Sequence, residues 1–191
     1  DHPGLFSRIA GAMAMSGANI VDAKIFTTTK GMALDIFSIQ DSVGKAFDEK
    51  PALDRLAGRI RRTLSGEINV AQELDKAPLH ATRTDVFTVP PRVLINNSAS
   101  QTHSLVEINA RDRAGLLHKV TRTLTQLGLQ ISSALVATYG ERVVDVFYVK
   151  DTFGMQVTHE GKLDQIRKTV LEAITENDDI VEEAQSVEMA S

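Results

Sequence analysis

The sequence predicts an α+β protein made of two similar βαββαβ units in tandem, of which the first lacks its first strand. Three observations support this fold: a long internal repeat, helices with a single apolar stripe, and strand-like segments that come in pairs. The 191 residues suffice for two small hydrophobic cores. We predict a first domain over residues 1–98 and a second over residues 104–188.

The internal repeat relates residues 1–64 to residues 112–174, at an offset of 111 positions that falls to 110 after one deletion. A period this long holds a whole domain, so the repeat indicates a duplication rather than a solenoid of short units. The pairs that define it include Asp1 and Asp112, Gly4 and Gly115, Gly17 and Gly128, Asp35 and Asp145, and Leu53 and Leu163.

Each copy contains two predicted helices. Leu116, Val120 and Leu124 put one apolar stripe on the first helix of the second copy. Gly128 ends that helix in the left-handed conformation that glycine adopts at little steric cost, and Gly17 gives the same signal in the first copy. The second helix of the second copy has its own apolar stripe, formed by Leu163, Ile166, Val170, Leu171 and Ile174.

Each copy also contains a predicted β-hairpin between its helices, because two segments rich in β-branched and aromatic residues flank a short turn. The turns contain Lys30-Gly31 and Gly140-Glu141. The second copy adds a first strand before its helix and a last strand near the end of the chain. The predicted strands are residues 19–27 and 32–39 in the first copy, and residues 104–110, 130–138, 142–149 and 180–187 in the second.

The first copy starts at the loop residue Asp1, so the strand at the centre of its sheet is missing. After Leu64 we predict a polar helix at residues 67–76 and then a last strand at residues 87–95, where Pro90-Pro91 suits a sheet edge. Residues 96–102 are then an interdomain linker. We expect the first copy to close its sheet by borrowing a strand from another chain or by shifting its hairpin against residues 87–95.

Two loop motifs carry a resemblance to a known family. The segments Asp112-Arg113-Ala114-Gly115-Leu116-Leu117 and Asp1-His2-Pro3-Gly4-Leu5-Phe6, each before a helix, resemble the ligand loop of ACT domains, which have a ferredoxin-like fold. Together with residues 87–93 and 137–149, the two copies resemble the C-terminal tandem ACT domains of bacterial PII uridylyltransferase/uridylyl-removing enzymes. The resemblance covers nearly the whole chain, and the absent first strand is the departure from it.

This resemblance implies a regulatory module that senses an amino acid, glutamine first, and controls the uridylylation and deuridylylation of the PII nitrogen-regulatory protein. It places the nucleotidyltransferase and hydrolase domains, with their divalent metal, before this segment, which then has no catalytic residue and no cofactor of its own. Implied partners are the parent catalytic domains, the PII protein, and a second ACT domain or a homodimer. The alternative is an interaction module that pairs domains without a ligand.

The loops and helix starts supply the candidate ligand site. Gly115 lets a ligand approach the backbone, amides at the helix start can receive an α-carboxylate, and Asp112 can hold an ammonium group. The amides of Gln130 and Asn19 match a carboxamide such as that of glutamine. Alternatively, the aspartates cap helices and the glycines serve turns. The candidate residues are Asp112, Arg113, Gly115, Leu116, Leu117 and Gln130, with Asp1, Gly4, Leu5, Phe6 and Asn19 in the first copy.

Asp35 and Asp145 stand in the middle of strands, between apolar neighbours. Such a carboxylate either contacts an interface or a ligand, or it lies exposed on the sheet face that no helix covers. We favour the exposed position for both.

Composition argues against several other functions. The net charge of −4 gives no reason to expect nucleic acid or an anionic membrane as partner. The absence of cysteine excludes disulfides and suits a cytoplasmic location, and no apolar run approaches the length of a transmembrane helix. The five histidines lack the spacing of a metal motif, so no metal ligand is predicted.

Overall fold

The computed structural model describes residues 4–27, 32–76, 90–113, 115–139 and 142–175. The predicted α+β fold is confirmed, with two helices around a hairpin in each copy. The predicted strand at residues 180–187 and both hairpin turns lie outside the described residues. The elements are α1 (Leu5–Ala14), β1 (Asn19–Thr27), β2 (Ala33–Gln40), α2 (Lys50–Leu64), α3 (Val70–Lys76), β3 (Arg92–Asn96), β4 (Ser104–Arg111), α4 (Leu116–Gln126), β5 (Gln130–Tyr139), β6 (Arg142–Lys150) and α5 (Glu160–Thr175).

The described strands form two antiparallel sheets. The second copy has a four-stranded sheet in the order β3-β4-β6-β5, whereas β1 and β2 of the first copy form a two-stranded sheet, with one isolated bridge from Gln40 to Ala46. A register shift interrupts β1 between Ile20 and Asp22, and another interrupts β5 between Ile131 and Ser133. Because Ile20 and Ile131 are equivalent in the repeat, the duplication extends to this local irregularity.

The β3 strand differs from the sequence prediction. Residues 87–95 were expected to end the first copy, but Arg92–Asn96 pairs with β4 along its whole length, from Arg92 opposite Asn109 to Asn96 opposite Leu105. Residues 97–103 therefore connect a hairpin rather than two domains, and β3 does not close the edge of β2. The predictions for this strand and for the linker were wrong.

A local hairpin forms here because its strand and its turn are both held by the second copy. Val93 is buried in the second core and Ile95 packs against it. Nε2 of the Gln156 side chain lies 2.9–3.0 Å from the carbonyl oxygens of Asn97, Ser100 and His103, which share its two N–H donors. These contacts fix the turn, and pairing with the adjacent β4 closes a much shorter loop than a return to the first copy would.

The two copies pack on each other, as we expected. The main core joins Phe6, Ala23 and Ile25 of the first copy to the core between the second sheet and its helices, which includes Val120 and Phe147. Helix α1 lies against α4, and β1 lies beside β5 without forming a ladder with it. A smaller cluster of Met13, Ala18 and Leu56 holds α2 on the first copy.

None of the helices within the described ranges is long and apolar enough to span a bilayer.

Candidate ligand site between the two copies

The loop from β4 to α4 forms one wall of the candidate site. Its turn depends on Gly115, the N-cap residue of α4, which has a φ of +82°. Residues other than glycine rarely adopt this backbone conformation. A Cβ atom on Gly115 would also lie 3.2 Å from Cδ1 of Leu74. Gly4 has the same φ at the start of α1. The loop glycines are therefore required by the backbone in both copies.

A cavity of about 180 Å³ lies between this loop and the first copy. One water needs about 10–15 Å³ of such space, so the cavity has room for a small molecule. Its first-copy wall is the apolar end of α1 and the start of β1, including Ala10, Ala14 and Asn19. Its remaining lining comes from the second copy, where the loop and the sheet contribute Asp112, Arg113, Gly115, Leu116, Leu117, Thr138, Val143 and Asp145, among others.

The structure thus brings six of the predicted ligand residues to one cavity, five from the loop of the second copy and Asn19 from the first. Gln130 is not among them. It pairs with Lys150, whereas Arg111, next to Asp112, pairs with Arg142. These two points on β6 are separated by roughly 25 Å. Grouping Gln130 with Asp112 and Gly115 was wrong, because α4 carries the chain from one end of the sheet to the other.

The predicted first-copy loop lies away from this cavity, at the opposite end of α4. A Cβ atom on Gly4 would lie 3.9 Å from Cγ2 of Thr125, near the C-terminal end of that helix. Phe6 is buried and stacks on Phe37 with ring centroids 5.7 Å apart, and Leu5 precedes it at the start of α1. Asp1 lies outside the described residues. The Ser7 carbonyl, one turn after Gly4 on α1, contacts His118 near the start of α4. The two helices therefore run in opposite directions.

Asp145 contradicts the exposed position that we favoured for it. Its side chain is 1% exposed, on the same sheet face as the buried Val143 and Phe147, and it lines the cavity. Burial raises the pKa of Asp145 to about 7. A hydrogen bond from the backbone N–H of Ala137 opposes this shift, and the negative charge of the neighbouring Asp112 carboxylate adds to it. Asp35, its equivalent in the first copy, is half-buried on β2, so the exposed position that we favoured was wrong for it too, and burial raises its pKa as well.

Asp112 is a partly buried carboxylate at the rim of the same cavity. Burial raises its pKa, against the opposing effect of a hydrogen bond from the Arg113 backbone N–H. Arg113 in turn donates from Nη2 to the Ile174 carbonyl at 2.6 Å, so its guanidinium ties the loop to the end of α5. The cavity therefore holds two carboxylates close enough to influence each other.

Two features of the site escaped the sequence analysis. His118 is buried between α1 and α4, with Nδ1 2.6 Å from the Ser7 carbonyl, and it also lines the cavity. The small side chains of Ala10, Ala14 and Ala18 leave the space that the cavity occupies. The four-residue spacing of Ala10 and Ala14 in the sequence was a signal for a close approach to this face of α1.

A second cavity of about 420 Å³ lies where the end of α4 meets α1 and the start of α3. Arg8 and Arg122 line it and none of the described residues that line it is acidic, so it offers no carboxylate to an ammonium group. Within the described ranges no cluster of three or more histidine, aspartate or glutamate side chains is placed to hold a metal ion. The cavity beside Asp112 is therefore the better candidate for an amino acid, which carries both charges.

Comparison with known proteins agrees with this architecture. Residues 99–177 match the family model of the ACR family N-terminal ACT domain. The chain is 58% identical over 179 residues to the bifunctional uridylyltransferase/uridylyl-removing enzyme of Azospirillum brasilense, and 54% identical over 177 residues to that of Rhodospirillum rubrum. The enzyme of Gluconobacter oxydans is 50% identical over 177 residues.

Each of these alignments covers 92% of this chain and 19% of the relative, so the chain spans about a fifth of the length of the curated relatives it matches. Among solved structures, aspartate kinase from Synechocystis is similar with a TM-score of 0.41 and 17% identity, over 91% of this chain and 24% of that one. That similarity is too distant to support an argument. On the family model and these identities, residues 99–177 match an ACT domain, and the chain as a whole corresponds to a segment of the bifunctional uridylyltransferase/uridylyl-removing enzymes.

Proposed function

We propose that this chain binds a free amino acid, glutamine before others, in the cavity between its two copies, and so regulates the enzyme of which it is a part. The observation that carries the proposal is that residues of both copies line one cavity. A ligand there contacts both copies and favours one relative arrangement of them over others. Such a shift is what a regulatory module needs to transmit occupancy to other domains.

The lining matches the three polar groups of glutamine. The start of α4, with Leu116 and Leu117, carries the positive end of the helix dipole and suits an α-carboxylate. Asp112 suits the α-ammonium group. Asn19 carries an amide that both donates and accepts, which suits the side-chain carboxamide. These roles are assigned from the chemistry of the lining residues.

The name of the relatives supports a proposal for the enzyme activity that this chain regulates. They are bifunctional uridylyltransferase/uridylyl-removing enzymes, and we propose that the parent of this chain has the same two activities toward the PII protein. The catalytic domains and their divalent metal would then belong to the rest of the parent enzyme. Glutamine in the cavity would shift the balance between the two activities.

Calorimetric titration with each common amino acid tests the proposal, and Gly115→Val is the decisive variant. A valine at φ +82° is strained and its side chain meets Leu74 beside the cavity, so we expect glutamine affinity to fall by at least about tenfold, the equivalent of 1.4 kcal/mol. Gly44→Val is the matched control, because Gly44 also has φ +82° but has no atom within 4 Å of a Cβ. Unchanged affinity in Gly115→Val would refute the site.

The alternative function, domain pairing without a ligand, has its own supporting observation. The core that Phe6, Ala23 and Ile25 share with the second copy joins the two copies through apolar contacts that need no ligand. A chain that binds none of the amino acids, yet keeps the parent enzyme assembled and active, would favour this function.

A further inference from the structure

Asp145 is the most deeply buried carboxylate among the described residues, and its place in the cavity needs an explanation. It is 1% exposed, lines the cavity, and its Oδ1 atom accepts no hydrogen bond from any described residue. A buried polar atom without a partner costs free energy, and a buried carboxylate costs more than a neutral group. A group that enters the cavity with N–H donors would remove this cost.

We infer that Asp145 is the residue that binds the α-ammonium group of the ligand, with Asp112 as the second acceptor at the rim of the cavity. The inference rests on the proposed function and adds a specificity residue to it. An ammonium group has three donors, so it can satisfy both carboxylates and one further oxygen. Asp145 then selects for ligands with a free amine.

The other charged groups around Asp145 do not occupy the position that a ligand ammonium group would take. The loop contributes Asp112 and Arg113, and α4 contributes His118, while the α1 and β1 residues that line the cavity are uncharged. Arg113 is directed to the Ile174 carbonyl and His118 to the Ser7 carbonyl. Within the described ranges, no lysine or arginine forms a salt bridge with Asp145. The ammonium group of a ligand would therefore be a positive charge placed directly beside Asp145.

An amine fits this site better than a metal ion does. Calcium takes six to eight oxygen ligands, and magnesium needs near-octahedral geometry with several waters. Asp112 and Asp145 are the only carboxylates among the described residues that line the cavity, and much of its wall is apolar. An ammonium group needs fewer ligands and tolerates an apolar wall beside it.

The test compares glutamine with its desamino analogue glutaramate, which lacks only the amine, in titrations of wild type and Asp145→Asn. For wild type we expect glutamine to bind more tightly by about 10- to 100-fold, the range of a hydrogen-bonded charge. In Asp145→Asn we expect glutamine affinity to fall by a similar factor and glutaramate affinity to change less than about threefold. Asp35→Asn, the equivalent change outside the cavity, should keep the wild-type preference.

Three results would overturn the inference. Equal weakening of both ligands in Asp145→Asn would make Asp145 a structural residue and leave the proposed function intact. Equal affinity of wild type for glutamine and glutaramate would show that the amine is not recognised. If wild type bound neither ligand nor any other amino acid, the proposed function would fail and this inference with it.

A second measurement keeps the inference testable if Asp145→Asn does not fold. Below pH 7 Asp145 is largely protonated, so binding an ammonium group requires it to release a proton. Calorimetry of wild type at pH 6, in buffers of different ionisation enthalpy, should show about one proton released per glutamine and fewer per glutaramate. Equal proton release with the two ligands would overturn the inference.

Discussion

The carboxylate of Asp145 illustrates how far single residues could be predicted. Its position in the middle of a strand marked it as unusual, but its neighbours Val144 and Val146 are as apolar as Val143 and Phe147. Without alternation of polar and apolar residues, the sequence does not reveal which face of a strand the helices cover. Only the packed structure places Asp145 inside and beside Asp112.

The raised pKa of Asp145 has a consequence for stability. The pKa of Asp145 is about 7 in the folded chain, compared with its ordinary value of 3.8. Between these two pH values, the folded chain keeps the proton on this carboxyl group. The unfolded state loses the proton first, so this group lowers the free energy of unfolding as the pH rises from about 4 to about 7, by at most on the order of 4 kcal/mol.

We therefore expect Asp145→Asn to gain stability relative to wild type between pH 4 and pH 8, since asparagine does not ionise. Urea denaturation at pH 4.5 and pH 8 measures the difference, and taking the difference between variants cancels the titration of the other groups. Parallel stability profiles of wild type and Asp145→Asn would show that Asp145 does not titrate in this range.

At the scale of elements, helices and hairpins were predictable from local patterns, whereas pairing between elements was not. Apolar stripes and glycine stops located α1, α4 and α5. The partner of β3 depends on contacts of Val93 and Gln156 with the second copy, which no local pattern reveals. The polar helix predicted at residues 67–76 is α3, which begins at Val70 and packs across α1.

The contact of α3 with α1 depends on a glycine. A Cβ atom on Gly11 would overlap Cγ1 of Val70 and lie 3.0 Å from Nδ1 of His118. We expect Gly11→Ala to lower the free energy of unfolding by about 1–2 kcal/mol, because overpacking costs about 1–3 kcal/mol and the helix gains up to about 1 kcal/mol from alanine.

Val70→Ala should remove most of that overlap, so that adding Gly11→Ala to it costs little or stabilises the chain. Gly58→Ala is the control, since Gly58 lies in α2 with no atom within 4 Å of a Cβ and should gain about 0.5–1 kcal/mol. Thermal or urea unfolding of the four variants measures the coupling. Additive effects of Gly11→Ala and Val70→Ala would mean that α3 does not pack on α1 in this way.

At the scale of the whole molecule, the two copies are unequal, as the strand missing from the first copy of the repeat predicts. The second copy has a four-stranded sheet, while the described part of the first has only the β1–β2 hairpin. A hairpin alone is marginally stable in water. Its stability here comes from the core shared with the second copy, and the helix-free face of the hairpin exposes Phe26, Leu34 and Ile36.

The open edge of β2 leads to a prediction about exchange and association. Within the described residues, β1 is the only strand that pairs with β2. Apart from a bridge between Gln40 and Ala46, the other edge of β2 leaves backbone groups that a partner strand would satisfy. A row of such groups, if buried, would cost about 1–3 kcal/mol each, comparable in total to the stability of a small domain. The chain must expose this edge to water or cover it with a strand from elsewhere.

Amide hydrogen exchange distinguishes the two outcomes. We expect β4, β5 and β6 to be protected uniformly and independently of concentration, because each belongs to the four-stranded sheet. If another chain supplies the strand beside β2, dilution should deprotect the first copy selectively, and association should follow the same concentration dependence. Equal protection of both copies at every concentration would contradict the prediction, since it requires the first copy to close its own sheet within one chain.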